Sequence, residues 1–243
     1  MDMKISGSGV IGAGEYEDIR ISGSGKMEGF VRCKNFSVSG AAHSDERIEC
    51  SEEFHVSGSC SVEGGIKAGN LTVSGAFSCG KDISLSGDAK CSGSINCSGS
   101  FKGGYIDIAG KADIDGDMEG EQVKVSGKVN CGGLLNAEEV SIGFVSGMEI
   151  GSIGGSRINI YRGGGRKISR LPLLSSLLSA VSSDKICVKN SVEGDEIALE
   201  NVHTPRVSGR IVAIGEGCEI DLVQYTEQIE VSPNAKVGKV EKV

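Results

Sequence analysis

The sequence predicts an all-β fold in which the chain winds into a parallel β-helix, a β-solenoid with about 17 residues per coil. The main observation is a hydrophobic residue followed by Ser-Gly that recurs along the first two thirds of the chain. These repeats begin at Ile5, Ile21, Val38, Val56, Val73 and Val125, and the first steps are 16, 17, 18 and 17 residues. Such a period indicates one small unit stacked on copies of itself, because a single unit cannot bury its apolar face alone.

Short strands are predicted before these Ser-Gly pairs. Apolar and polar residues alternate there, as in Phe36-Ser37-Val38 and Val123-Lys124-Val125, which is the period of a strand with one buried face. The glycine then provides a tight backbone corner, and the serine can bond to the turn. Composition agrees with this, because 38 of the 243 residues are Gly while only 3 are Pro and none is Trp.

The repeat becomes irregular between Val73 and Ile108. Leu85-Ser86-Gly87 and Cys97-Ser98-Gly99 come earlier than the period requires. The whole interval is 35 residues, which fits two coils. We therefore predict that residues 1–162 form one continuous set of β-helix repeats.

A second irregularity divides the chain at residues 163–184. Three glycines at 163–165 predict a flexible joint. A short amphipathic helix is predicted after them, because apolar residues recur at helical spacing; they are Leu171, Leu174, Leu177, Leu178 and Val181. Residues 185–243 return to strand alternation, so the solenoid is expected to continue there.

Charge, targeting segments and cysteine spacing argue against a nucleic-acid-binding protein, a secreted or membrane-spanning protein and a metal or redox site. A formal net charge of −8 and a pI near 5.1 argue against nucleic acid as a partner, since phosphate binding needs a basic surface. No secretory leader or membrane-spanning run is recognisable, so a cytoplasmic location is expected. The nine cysteines include no C-x-x-C pair, which favours reduced thiols that pack as small hydrophobes over a metal or redox site.

No motif predicts a cofactor or an enzyme. Residues 7–12 fit G-x-G-x-x-G but lack the strand–helix setting of a dinucleotide site. Residues 75–81 resemble a phosphate-binding loop, yet Asp82 stands where Ser or Thr should hold magnesium. The three histidines, His43, His55 and His203, and the serines form no recognisable catalytic constellation.

Two charged segments are candidate interaction sites. The run 113–121 places five acidic residues at alternating positions, which predicts one solvated outward face; a weak cation site or a docking stripe is the alternative. A basic patch precedes the leucine-rich segment and consists of Arg157, Arg162, Arg166, Lys167 and Arg170. The patch and the helix together indicate either packing of the helix on the rod, which we favour, or an anchor on a membrane surface.

The two ends of the stack are candidate polymerisation surfaces. End coils of a β-helix expose N–H and C=O groups that must be capped or paired with another chain. The residues expected there are Ile5, Val10, Ile11, Ile229, Val231 and Val237. No cap is recognisable near Met1, whereas Lys236, Lys239 and Lys242 could blunt the other end and limit assembly to an oligomer.

The tandem Val/Ile-Ser-Gly repeats, the short apolar strands and the lack of a catalytic cluster resemble the bactofilins, polymer-forming bacterial cytoskeletal proteins. The resemblance covers residues 1 to about 160 well and 185–243 more loosely. It implies a right-handed β-helix and head-to-tail assembly, with itself or with a sister bactofilin, into nonpolar filaments without nucleotide. It also implies roles in cell shape, envelope or motility organisation, including at the inner face of the membrane.

Two other functions are compatible with the repeat. One is a solenoid enzyme, either polysaccharide-active or a hexapeptide acyltransferase, although Ile214-Gly215 followed by Ile220 gives only one hexapeptide step. The other is a docking module of an envelope or flagellar assembly that does not polymerise.

Overall fold

The computed structural model describes residues 1–145, 147–162 and 185–243, and these contain 24 β-strands and no helix. The strands are β1 Met3–Ile5, β2 Ser8–Glu15, β3 Asp18–Ile21, β4 Ser24–Cys33, β5 Asn35–Val38, β6 Ala41–Ser44, β7 Ile48–Val56, β8 Ser59–Val62, β9 Ile66–Val73, β10 Ala76–Cys79, β11 Ile83–Leu85, β12 Ala89–Cys91, β13 Ser94–Cys97, β14 Phe101–Lys102, β15 Tyr105–Ile108, β16 Lys111–Ile114, β17 Met118–Val125, β18 Lys128–Phe144, β19 Glu149–Arg162, β20 Ile186–Val188, β21 Ser191–Leu199, β22 Val202–Ile214, β23 Glu219–Val231 and β24 Lys236–Lys242.

The strands wind into a three-sided parallel β-solenoid of about 13 coils, which confirms the predicted fold class. Face A begins with β1 and β3, face B with residues 8–11 and 24–27, and face C with residues 14–15 and 31–33. Residues about 17 apart pair directly, as Ile5 does with Ile21 and Ile21 with Val38. Long strands such as β18 bend through two corners: residues 128–131 lie on face B, 135–137 on face C and 139–142 on face A.

The core is a set of inward rows that run along the rod. Alternate residues of each strand point inward and are buried, including Ile19, Ile21 and Val38 on face A. Equivalent residues stack on one another from coil to coil: the rings of Phe36 and Phe54 lie 4.7 Å apart, and those of Phe54 and Phe77 lie 5.4 Å apart. Each coil therefore buries its apolar side chains mainly against the coils before and after it.

The Ser-Gly corners join face A to face B and require glycine for a steric reason. A Cβ atom on Gly40 would lie 2.0 Å from the carbonyl oxygen of Gly23, and one on Gly58 would lie 2.0 Å from that of Gly40. Their φ angles are not left-handed, so close stacking of successive corners, not an unusual backbone angle, excludes a side chain.

The stretch that looked irregular in the sequence keeps the same period. Cys91-Ser92-Gly93 occupies the Ser-Gly corner between those of Val73 and Ile108, with Cys91 as the inward apolar residue. Leu85 and Cys97 instead end strands on face C and face B. The two early pairs, Ser86-Gly87 and Ser98-Gly99, therefore belong to the other two corners of the three-sided coil.

At those other two corners, a hydrogen bond from a side chain of one coil to the backbone of the next coil recurs. The side chain of Asp82 accepts a hydrogen bond from Ser100 N at 2.9 Å, and Asp117 accepts one from Leu134 N at 2.7 Å. Asn70 binds Asp88 N at 2.9 Å in the same way. In each case a carboxylate or amide of one coil satisfies a backbone N–H of the next, and this holds the corners in register.

The segment 163–184 is an insertion within a single coil. Ile160 and Leu199 pair directly on face A although they are 39 positions apart. The 22 residues 163–184 lie outside the described residues, and removing them from this interval leaves 17, one coil. The predicted helix of Leu171, Leu174, Leu177, Leu178 and Val181 therefore falls outside the described part of the chain.

The inward register of β17 can be tested with adjacent residues. Val125 is fully buried, whereas Lys124 points outward with its Nζ 3.9 Å from Asp107. We expect Val125→Lys to lower the free energy of unfolding by several kcal/mol, because it buries an unpaired ammonium. Lys124→Ala should change it by about 0.5 kcal/mol or less. Equal shifts in the thermal melting of the two variants would contradict this register.

Candidate functional site

The first coil forms one terminal surface of the rod. Face A contributes β1, and β2 contributes the other two sides. Ile5 and Ile11 point inward and are buried, as their pairing with Ile21 and Met27 requires. Val10 instead pairs with outward-facing Lys26 and is 59% exposed, so it lies on the side of the rod and not on its end.

The last coil forms the opposite terminal surface. Ile229 and Val231 end face A, and Val237 and Val240 of β24 continue the inward rows of faces B and C. Their counterparts one coil earlier are buried, but Val231 is 42% exposed and Val240 is 45% exposed. The structure thus leaves the inward apolar rows of faces A and C open at this end, and Val240 belongs to them although it was not among the residues predicted from the sequence.

Both terminal coils have a free strand edge within the described part of the chain. There, β1 pairs only with β3, β2 only with β4, and β24 only with β23. Residues 228–231 likewise pair on one side only, with 211–214. Edges of this kind present backbone N–H and C=O groups to any strand that can align with them.

The C-terminal lysines lie on the outside of the last coil. Lys236 Nζ is 2.9 Å from Glu219 Oε1, Lys239 forms an ion pair with Glu241, and Lys242 Nζ lies 6.0 Å from the centre of the Tyr225 ring. Their charges are directed to neighbouring side chains on the rod. They leave the side chains of Val231 and Val240 exposed.

Glu219 connects three parts of the C-terminal region. Its carboxylate contacts Lys185 at 2.8 Å and Lys236 at 2.9 Å, and His203 Nδ1 lies 3.8 Å away. Hydrogen bonds from Lys185 and Lys236, followed by their charge, lower the pKa of Glu219 to about 2. This carboxylate links β24 to the coil below it and to residue 185, where the described chain resumes after the insertion.

The basic patch is surrounded by acids once the chain is wound. Arg157 pairs with Glu139 in one coil and with Glu196 in the next, and its guanidinium is 3.7 Å from Glu139. The backbone N–H of Arg162 donates to Glu200 at 3.0 Å. Arg166, Lys167 and Arg170 lie outside the described residues. A cluster that is free of acids in the sequence therefore has acids from neighbouring coils beside its first two members.

The acidic run 113–121 spans a corner. Asp113 lies on β16, which ends at Ile114, Asp115 and Asp117 lie in the turn, and Glu119 and Glu121 lie on β17. The side chains face outward as predicted, but the expectation of a single face was wrong because the strand ends at Ile114. Asp117 has a structural role here, since it binds the backbone of the next coil.

The buried cysteines pack as small hydrophobes, as predicted, and several also donate to corner carbonyls. Cys50 Sγ lies 2.8 Å from Lys34 O, Cys97 Sγ 3.1 Å from Lys81 O and Cys131 Sγ 3.3 Å from Gly116 O. Cys187 is the one cysteine that is partly exposed, and its side chain points outward beside His203. Burial raises the pKa of the Cys60 thiol to about 12, which keeps it protonated.

The remaining polar features have local partners. His43 lies 2.8 Å from Asp45, and His55 lies 2.7 Å from Ser57 Oγ. A groove of about 470 Å³ on face C contains Arg32, Glu49 and Lys67, and Arg32 is already paired with Glu49 at 3.0 Å.

Residues 1–145, 147–162 and 185–243 offer neither a metal-ligand cluster nor a membrane-spanning helix. They contain no group of three or more His, Cys, Asp or Glu side chains placed to hold a metal ion. In the same ranges, no helix has the length and apolar character needed to cross a bilayer.

Comparison with known proteins gives a short similarity. A stretch of 56 residues is 32% identical to the uncharacterized protein YhbF of Bacillus subtilis (strain 168), and it covers 23% of this chain and 24% of that protein's length. No family model matches the chain. No solved structure matches it either.

The ion pairs of Glu219 predict a pH dependence. Its folded pKa of about 2 lies below its ordinary value of 4.5, so the carboxylate stabilises the fold fully above about pH 4.5. This contribution should decline between pH 4.5 and 2 and vanish below 2. We expect the difference in unfolding free energy between the wild type and Glu219→Gln to follow that profile.

A companion variant tests the cause of the shift. Lys236→Met should raise the pKa of Glu219 toward its ordinary value, as measured by NMR titration of the side-chain carboxyl carbon. An unchanged titration in Lys236→Met would mean that Lys236 does not act on this carboxylate.

Proposed function

We propose that this protein is a structural scaffold that assembles with itself end to end into filaments or oligomers without nucleotide, as the resemblance to bactofilins implies. The proposed setting is the bacterial cytoplasm, including the inner face of the membrane, where such polymers support cell shape, envelope or motility organisation. The partner is a second copy of the chain or a sister protein with the same repeat.

The observation that carries the proposal is the pair of apolar rows that stay open at the last coil. Val231 and Val240 continue rows whose members are fully buried in the middle of the rod, yet both are more than 40% exposed. Burying such side chains under a further coil removes apolar surface from water, at about 25 cal/mol per Å². Pairing the free edge of β24 would also satisfy its backbone groups.

The energetics of a stacked repeat favour assembly through the ends. Each coil of a solenoid is stabilised mainly by the coils beside it, so a terminal coil lacks half of the contacts of an internal one. A second copy that supplies the missing neighbour provides the same kind of contact that holds each rod together. No nucleotide is needed for such a contact, because the free energy comes from burial and strand pairing.

Assembly through the last coil can be tested with a pair of valine and leucine substitutions. Val240→Glu should abolish oligomers, because it places a carboxylate on the apolar end row, while leaving thermal melting almost unchanged at this half-exposed position. Leu134→Glu is the matched control, since Leu134 is 40% exposed but lies on the side of the rod.

Sedimentation velocity at micromolar concentration, with and without ATP or GTP, measures the outcome. The wild type and Leu134→Glu should form the same oligomers, and nucleotide should not alter them. A wild-type protein that is strictly monomeric would contradict the polymer proposal and favour the docking module or the solenoid enzyme.

A further inference from the structure

We propose that two pairs of stacked cysteines are modification sites for a peroxide, which links Cys33 to Cys50 and Cys79 to Cys97 by disulfide bonds between neighbouring coils. The inference goes beyond the proposed function and does not depend on it. It assigns a reversible chemistry to thiols that pack as small hydrophobes in the reduced rod.

The strand pairing places cysteine directly on cysteine twice within the described part of the chain. Cys33 pairs with Cys50 on face C, 17 residues later, and Cys79 pairs with Cys97 on face B, 18 residues later. All four side chains point into the core and are 3% exposed or less. Parallel pairing in register brings two such Cα atoms to about 4.8 Å, within the range of roughly 4.4–6.8 Å that disulfides span. Both pairs can therefore be bridged with little movement of the backbone.

Within each pair, one thiol donates a hydrogen bond to the other. The hydrogen bond to Cys50, followed by burial, raises the pKa of Cys33, and acceptance of that bond lowers the pKa of Cys50. For the same reason the pKa of Cys97 is raised and that of Cys79 is lowered. The sulfur atoms of each pair are therefore neighbours, and Cys50 and Cys79 are the members that lose a proton more easily.

Each pair has the two groups that reversible thiol oxidation requires. The Cys50 thiolate attacks one oxygen of hydrogen peroxide, the O–O bond breaks, and the other oxygen leaves as hydroxide, which takes up the proton of Cys50 and becomes water. The product at Cys50 is a sulfenic acid. Cys33 then attacks its sulfur, the S–O bond breaks, and the hydroxyl group leaves as water with the proton of Cys33. Two thiols are thus oxidised to one disulfide while one peroxide is reduced to two waters.

The burial of the pairs restricts the oxidant to a small molecule, and their position beside corners provides access. Cys33, Cys79 and Cys97 end the strands β4, β10 and β13. Cys50 directly precedes the register shift of β7 at the next corner. A corner can open locally without unwinding the coil, and hydrogen peroxide is close to water in size.

Cys131 is a matched control, because it is equally placed but has no cysteine beside it. It lies in the same inward row of face B as Cys97, and its thiol also donates to a corner carbonyl, that of Gly116. Its neighbours in the adjoining coils are Ile114 and Ile150. A sulfenic acid at Cys131 meets no second thiol, so we expect this residue to stay out of the cross-links.

The test counts free thiols in the full chain with Cys187→Ser, which removes the partly exposed cysteine. The folded protein is treated with hydrogen peroxide, denatured and alkylated with iodoacetamide, and its intact mass gives the number of free thiols. Eight of the nine cysteines remain in this variant. We expect eight alkylations before the treatment and four after it, and dithiothreitol added before alkylation should restore all eight.

Further substitutions in the same background identify the linked residues. Cys50→Ala removes one pair at a position where the next coil already has Ala68, so five of the seven remaining thiols should stay free after peroxide. Cys131→Val leaves both pairs intact, so three of its seven thiols should stay free.

The other outcomes contradict the proposal. Eight free thiols after the treatment, oxygen added to the paired cysteines without a link, or disulfides between two copies would overturn it. Six free thiols would mean that one pair alone reacts, and the proposal would fail for the other pair. Three free thiols in Cys50→Ala would show that the links form without Cys50, which would also refute the pairing. None of these results depends on whether the chain assembles end to end.

Discussion

The close stacking of successive Ser-Gly corners is the constraint on which the rest of the structure depends. A carbonyl oxygen of one corner lies where the next corner would place a Cβ atom, so glycine is required at this corner in each coil from Gly23 to Gly127. With the corners this close, the strands of adjacent coils pair in parallel, at about 4.8 Å spacing. That spacing in turn stacks Phe36 on Phe54 and brings the acids and bases of neighbouring coils together.

Much of the fold could be predicted because the main signals are local and repeated. The period, the alternation before each corner and the excess of glycine all follow from one coil shape, so they are visible without tertiary information. The corner of Cys91 was missed because cysteine stands where valine or isoleucine was expected, although it is equally buried. The corner at 115–117 was missed because acidic residues alternate across it as they would along one strand.

The candidate site was less predictable because its chemistry lies between coils. Asp82 and Asn70 act on residues 18 positions away, and Arg157 meets Glu139 and Glu196 only after winding. One signal was available: a glycine follows these Asx residues by 17 positions, as Gly99 follows Asp82 and Gly87 follows Asn70. In each case an added Cβ would meet the Asx side-chain oxygen within 2.4 Å.

The proposed function extends the same stacking beyond a single chain, because the contact between copies would repeat the contact between coils. Electron cryo-microscopy of the purified chain measures this directly, as the axial repeat of the assemblies. Continuous stacking predicts an uninterrupted coil spacing of about 4.8 Å and one subunit for every 62 Å or so of filament length, at about 13 coils per subunit. Separate rods of that length, or rods joined only side by side, would contradict the account.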